Sequence, residues 1–255
     1  MNTNEKSNVE REKEFHNKRF GADYDPRVRV NKWYRAIDHA NQKYKKLICA
    51  YGKNKAVLEY GCGVPYDFFD FFCKNLKYKK YTGIDISDVV VEKNNRQANE
   101  IRIENTEFIA MNAEAMEFPD ETFDLVYGKG ILHHLDLEKS VSEIARVLRK
   151  DGTAFFLEPL GHNWFINKFR NKTPELRTPD EHPLLFSDFD IFKKYFSVDI
   201  KLYGFTTLLS VPLLNTPFYK FASLFFHGLD SLLLSIPYLN RNAWMVLLVL
   251  TRRNV

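Results

Sequence analysis

Between residues 55 and 160 the chain alternates short apolar runs with amphipathic stretches, and few folds satisfy that pattern. KAVLEYG (55–61), YTGIDIS (81–87), TEFIAMNA (106–113), FDLVYG (123–128) and GTAFFLEPL (152–160) are too short for core helices and read as buried strands. The stretches 65–76, 87–100 and 137–150 read as helices. In the last of them Val141, Ile144, Val147 and Leu148 follow a period near 3.6 residues, and Asp151-Gly152 supplies the stop. Strand–helix alternation of this kind predicts an α/β fold: a parallel, Rossmann-like sheet with helices on both faces.

The flanks differ from this core. Residues 1–20 are charge-dense and are predicted to fray at the start. Residues 28–51 carry Trp33, Ile37, Tyr44, Leu47 and Ile48 at helical spacing, so 1–50 reads as a helical cap ahead of a core at 51–160. In the remainder, 161–255, the stretch 161–187 holds two Thr-Pro pairs and an Asp-Glu-His-Pro run and is predicted to be a long, partly ordered loop. Segments 195–205 and 243–253 read as two further strands, giving seven. Between them, 206–240 is broken by Pro212, Pro217 and Pro237 and carries formal charge only at Lys220 and Asp230. Phe218, Phe221, Phe225, Leu229, Leu232 and Ile236 share one helical face there. Such a face packs as a lid over a pocket, pairs with a second copy, or rests on a membrane surface.

Composition excludes several classes. The 37 basic and 33 acidic residues are interspersed, leaving a net charge of +4 and no nucleic-acid footprint. Cys49, Cys62 and Cys73 have no metal-ligand spacing and suit a reducing cytoplasm. The polar start MNTNEKSNVEREKEF reads as lacking a secretory signal, and no stretch of about 20 residues is free of charge and proline. The expected location is cytoplasmic, with peripheral membrane contact through 206–240 left open.

The chemistry concentrates at strand ends. Glu59-Tyr60-Gly61-Cys62-Gly63 closes the first strand, where glycines let the backbone turn sharply and approach a ligand. The helix start that follows offers free amides to an anion. Asp85 ends the second strand, 26 residues after Glu59, where a carboxylate can accept both hydroxyls of a ribose. Asn112-Ala113-Glu114 and Tyr127-Gly128-Lys129 end the third and fourth. In an open parallel sheet these ends converge on one crevice, a coincidence that helix capping alone explains poorly. A dinucleotide fingerprint would want glycine or alanine where Tyr66 stands, which weakens a nicotinamide site.

With these motifs in order, the chain resembles the class I S-adenosylmethionine-dependent methyltransferases, especially the small-molecule group akin to the ubiquinone and menaquinone methyltransferases. The matching segments are VLEYGCG (57–63), GIDIS (83–87), NAEAMEFPDETFDLVYGKGILHHL (112–135) and EIARVLRKDGTAFFLEP (143–159). The resemblance implies that the last strand is antiparallel and that the N-terminal helices cover the cofactor. It also implies that Glu59 orients the methionine amino group, that Gly61 and Gly63 line the methionyl part, that Asp85 holds the ribose, and that Asn112 and Ala113 contact the adenine. Tyr60, Cys62, Ile86 and Lys129 complete the expected cofactor site. Two positions depart from the family pattern: Pro65 stands where a third glycine is frequent, and Asn112 where aspartate is common.

Methyl transfer from a sulfonium asks the protein mainly to align an acceptor and exclude water, with a general base where the acceptor is a hydroxyl or an acidic carbon. His133, His134, Glu158 and His162 are the candidates, and His133 is preferred as the histidine facing the pocket. Asp180, Glu181 and His182 form a second polar cluster on the substrate side, with no metal-ligand spacing, so no metal is expected. Phe221 and Phe225 are expected to touch the acceptor. The sequence therefore predicts methylation of a small or lipid-like acceptor, oxygen being favoured. A sugar or natural-product acceptor and a catalytically silent binding module are the rival readings, and a homodimer is left open.

Overall fold

A computed structural model describes residues 7–22, 26–64, 67–178 and 181–253. Every expected apolar run in it is a strand: β1 Ala56–Tyr60, β2 Lys80–Asp85, β3 Thr106–Ala110, β4 Phe123–Lys129, β5 Leu148–Pro159, β6 Phe196–Tyr203 and β7 Met245–Arg252. They form one sheet in the order β3-β2-β1-β4-β5-β7-β6. The first five strands are parallel, and β7 runs antiparallel between β5 and β6. The strand order reverses at β1 and β4, and that switch point is where a doubly wound sheet opens a crevice.

Side chains alternate across a strand, so both faces of this sheet need cover. Leu58, Tyr60, Ile84 and Val126 meet one set of helices, which includes α5 (Leu137–Val147) through Val141, Ile144 and Val147. Val57, Tyr81, Leu125 and Tyr127 meet the other set, which includes α2 (Asp38–Tyr51) through Ala40, Tyr44 and Ile48. The helix expected at 137–150 stops at Val147 because Leu148 already pairs with Phe123 at the start of β5. Within 65–76 the described part is a wide (π) turn, Phe68–Phe72, which buries Phe68, Phe69 and Phe72 and runs into α3 (Cys73–Asn75). The helical stretch expected at 28–51 is split into a tight-turn segment, Pro26–Ile37, and α2. α4 (Asp88–Glu100) follows β2, with the Ser87 side chain capping its first turn.

Three features add to the sequence expectations. The charged start is ordered from Asn8 to Gly21 as α1, because Ser7 and Glu10 close a reciprocal capping box. The supposed loop at 161–187 contains α6 (Trp164–Asn171), capped by Asn163, and is followed by α7 (Phe189–Lys193). α6 escapes a periodicity test because Trp164, Phe165 and Phe169 point outward. The 206–240 insert contains α8 (Tyr219–Leu233), and its expected apolar face is turned to solvent: Phe221 is 74% exposed and Leu232 63%.

Candidate active site

A chamber of about 710 Å³ opens at the switch point, walled by the ends of β1, β2 and β4, the segment after β3, and α1. Gly61 and Gly63 turn the chain at the end of β1 with φ of +69° and +48°. At Gly61 this freedom is compulsory, since a Cβ would lie 2.4 Å from Ile131. The turn is tied to β2, because Asp85 accepts from Gly63 N at 2.8 Å and from Ser87 N at 2.9 Å. Cys62 donates its backbone N–H to the Ile84 carbonyl. Asp85 is nonetheless pushed upward in pKa, because burial outweighs these hydrogen bonds.

Gly61, Cys62, Gly63, Asp85, Ile86, Asn112, Ala113 and Lys129 all line the chamber, so the structure brings most of the expected cofactor set to one place. Two members sit elsewhere. Tyr60 is fully buried and reaches away from the chamber, donating to the Ala113 carbonyl at 2.6 Å; it props the wall rather than forming it. Glu59 faces a smaller adjoining cavity with Tyr44, Asp67 and Lys129, beside the same glycine turn. Tyr81 donates to its carboxylate, yet burial, with Asp67 and Asp85 nearby, raises the Glu59 pKa to about 8. Asn112 accepts from Glu114 N at 2.9 Å, which fixes the turn that follows β3. The departures at Pro65 and Tyr66 fall outside the described residues.

The structure does not bring all of the expected catalytic residues to the chamber. His134, not His133, lines the chamber. His133 lies behind it, with Nδ1 2.8 Å from Glu158 and Nε2 3.3 Å from Glu181. Burial alone would lower its pKa, but the two carboxylates outweigh burial and raise it. Glu158 is fully buried, and its other oxygen accepts from Ile131 N and Leu132 N, so it holds the turn after β4 and has no route to a ligand. His162 accepts from Phe186 N at 3.0 Å and lies tilted against the Phe186 ring, outside the chamber wall. The His182 backbone donates to the His133 carbonyl while its side chain is exposed. Asp180 lies outside the described residues. Phe221 and Phe225 project into solvent, and no residue of 206–240 lines the chamber.

Helix α1 contributes what the sequence reading missed. Glu12, His16 and Phe20, one helical turn apart in succession, all face the chamber. α1 is fastened to the core by Asn17, which accepts from Ser87 Oγ at 2.6 Å, and by a 2.6 Å ion pair between Lys13 and Asp88. Glu12 is buried at 6% exposure and accepts from Thr178 Oγ1. Burial alone would raise its pKa, but His134, His16 and Thr178 outweigh it and hold the carboxyl well below the usual range. His134 is displaced the other way, burial and neighbouring His133 keeping the imidazole neutral. The Ser7-x-x-Glu10 capping pattern and the Glu12–His16 spacing were the only signals in the sequence.

Comparison with known proteins decides what this crevice belongs to. Residues 58–156 match the family model described as a methyltransferase domain. The core is similar to this family. It is similar to an uncharacterized methyltransferase, YcgJ, of Bacillus subtilis, at 30% identity over 125 residues, or 48% of each chain. It is also similar to the ubiquinone/menaquinone biosynthesis C-methyltransferase UbiE of Cronobacter sakazakii, at 36% over 76 residues, covering 29% of this chain and 30% of the relative. The chain thus spans about half or less of the length of these relatives. Over nearly the whole chain, the methyltransferase fold superposes on geranyl diphosphate C-methyltransferase from Streptomyces coelicolor with a TM-score of 0.63, covering 97% of this chain and 99% of that one at 10% identity. Among the described residues no helix is long and apolar enough to cross a membrane.

Proposed function

We propose that the protein transfers a methyl group from S-adenosylmethionine to a hydroxyl of a small or lipid-like acceptor. One observation carries this reading: the glycine turn and Asp85 share a chamber with a polar wall of Glu12, His16 and His134. The cofactor fits the residues present, since the left-handed turn at Gly61 and Gly63 lines the cradle and Asp85 and Asn112 stand at its rim. Asp85 would hold the ribose hydroxyls, Asn112 and Ala113 the adenine, and Glu59 the methionine ammonium. When bound, S-adenosylmethionine supplies a methyl whose bond to sulfur breaks with the electron pair left on the thioether, as a pair from the acceptor oxygen forms the new bond. Glu12, His16 and His134 would orient that oxygen and favour release of its proton, work that a carbon acceptor or a neutral amine demands less. α1, with Phe20 over Gly63, keeps water from the reacting atoms.

The lipid-like character rests on α8. A helix whose single acid is buried and whose phenylalanines are exposed is inside-out for water. Asp230 accepts from Thr206 N and from the backbone and hydroxyl of Thr207, which pins the polar side inward. The outward face, with Phe218, Phe221, Leu224 and Phe225, is suited to rest on a lipid surface that presents the acceptor. A second copy of the chain covering this face is the alternative that sedimentation would reveal.

The test is to incubate the protein with S-adenosylmethionine carrying a carbon-13 methyl, together with lipid and water-soluble extracts of the source cells. Proton–carbon correlation spectra separate O-, N- and C-methyl products. A new O-methyl signal in the organic phase is expected. A C-methyl or N-methyl product would refute the oxygen assignment, and absence of label from both phases would refute turnover altogether.

A further inference from the structure

We infer that Glu12, His16 and His134 form a binding site for a divalent transition cation of the zinc class, at the junction of α1 and the turn after β4. The three donor atoms, Glu12 Oε2, His16 Nε2 and His134 Nδ1, converge within 4.8 Å of one another. Glu12 Oε2 lies 3.3 Å from His16 Nε2 and 3.4 Å from His134 Nδ1. Two ligands about 2.0–2.2 Å from a tetrahedral ion are separated by about 3.3–3.6 Å, so both separations match the edge of a zinc coordination tetrahedron. Neither contact is a hydrogen bond: Glu12 Oε2 and His134 Nδ1 are buried and have no hydrogen-bond partner among the described residues. Buried polar atoms normally find one, and two orphans 3.4 Å apart are satisfied together by one cation between them.

The donor set also fits in chemistry and in surroundings. Two imidazoles and one carboxylate suit zinc, cobalt or iron rather than magnesium or calcium, which prefer all-oxygen shells. Thr178 Oγ1 donates to the remaining Glu12 oxygen and fixes the carboxylate, as outer-shell partners of metal ligands do. Glu12 and His16 stand four residues apart on one face of α1, and His134 comes from the core, so a cation would fasten the helix across the chamber mouth. Three protein ligands leave a tetrahedral ion one open position, and all three line the chamber. That position would receive the acceptor oxygen and favour its ionisation, a role that rests on the methyl-transfer reading; cation binding itself does not.

The experiment is titration of metal-stripped protein with zinc by calorimetry, and with cobalt by visible absorption, in the absence of cofactor and acceptor. One equivalent should bind with micromolar or tighter affinity, and cobalt should give the intense visible band of a tetrahedral site. His16→Asn, on the half-buried side of α1, should weaken zinc binding at least tenfold without disturbing the fold. Glu12→Gln should do the same and abolish the cobalt band. Glu181→Gln touches the neighbouring His133 cluster and should leave zinc affinity within twofold. Absence of stoichiometric binding, or a loss caused by Glu181→Gln but not by His16→Asn, would overturn the site. Either result would leave cofactor binding, measured separately with S-adenosylhomocysteine, intact as evidence on the methyl-transfer reading.

Discussion

A carboxyl buried as Glu59 is keeps its proton until about pH 8, the cost of desolvation outweighing the hydrogen bond from Tyr81. A methionine ammonium beside it would favour the ionised form, so binding below pH 8 must expel the proton. Each pH unit well below that value costs about 1.4 kcal/mol, or tenfold in affinity. S-Adenosylhomocysteine should therefore bind about fivefold more tightly at pH 8 than at pH 7, and calorimetry in buffers of different ionisation enthalpy should register proton release. In Glu59→Gln the pH dependence should vanish; its persistence would mean that another group is responsible. His133 titrates in the opposite sense. Its folded pKa is raised by Glu158 and Glu181, so its contribution to stability is complete below the unfolded value near 6.5 and is lost as pH rises through the higher folded value. Glu158→Ala removes the partner of His133 Nδ1 and of two backbone amides, and should cost about 3–5 kcal/mol in denaturant melts. An unchanged midpoint would contradict that anchoring role. The pair His133-His134 shows what single residues conceal: both stand in the same short turn, and only the buried Glu158 behind them decides which ring turns to the chamber.

Strands were the most legible elements, because buried parallel strands are nearly continuous apolar runs that end at polar or glycine positions, and β1 to β4 obey that rule at Glu59, Asp85, Asn112 and Lys129. Helix α1 was illegible as part of the site, since a polar helix offers no apolar period, and its inward residues Glu12 and His16 look like any solvated face. With α8 the apolar face was readable but not its direction. Periodicity gives a stripe, whereas the hydrogen bonds of Asp230 to Thr206 and Thr207 determine that the stripe points outward. That orientation yields an element-level prediction. Phe221→Asp and Phe225→Asp should abolish co-sedimentation with lipid vesicles while leaving S-adenosylhomocysteine affinity within twofold, because neither residue lines the chamber. Vesicle binding that survives both changes, or a parent protein that never sediments, would remove the membrane role and leave the face to a second copy.

For the molecule as a whole, a rigid seven-stranded sheet carries the cofactor side of the chamber and the detachable-looking α1 carries the other. The domain therefore has a mouth whose closure depends on one helix held by Asn17, Lys13 and the Glu12 cluster. Cofactor should protect α1 from trypsin at Lys13, Lys18 and Arg19, and equal cleavage with and without ligand would show that the helix does not close on it. The central claim is that the glycine turn and Asp85 form an S-adenosylmethionine site, and its most direct test is calorimetric titration of S-adenosylhomocysteine into parent protein and Asp85→Asn. Asparagine can preserve one backbone hydrogen bond but loses the charge-assisted acceptors, each worth roughly 1.5–3 kcal/mol. One equivalent should bind the parent, and the folded Asp85→Asn protein should bind at least tenfold more weakly; no binding to the parent, or equal affinity in the two proteins, would contradict the account.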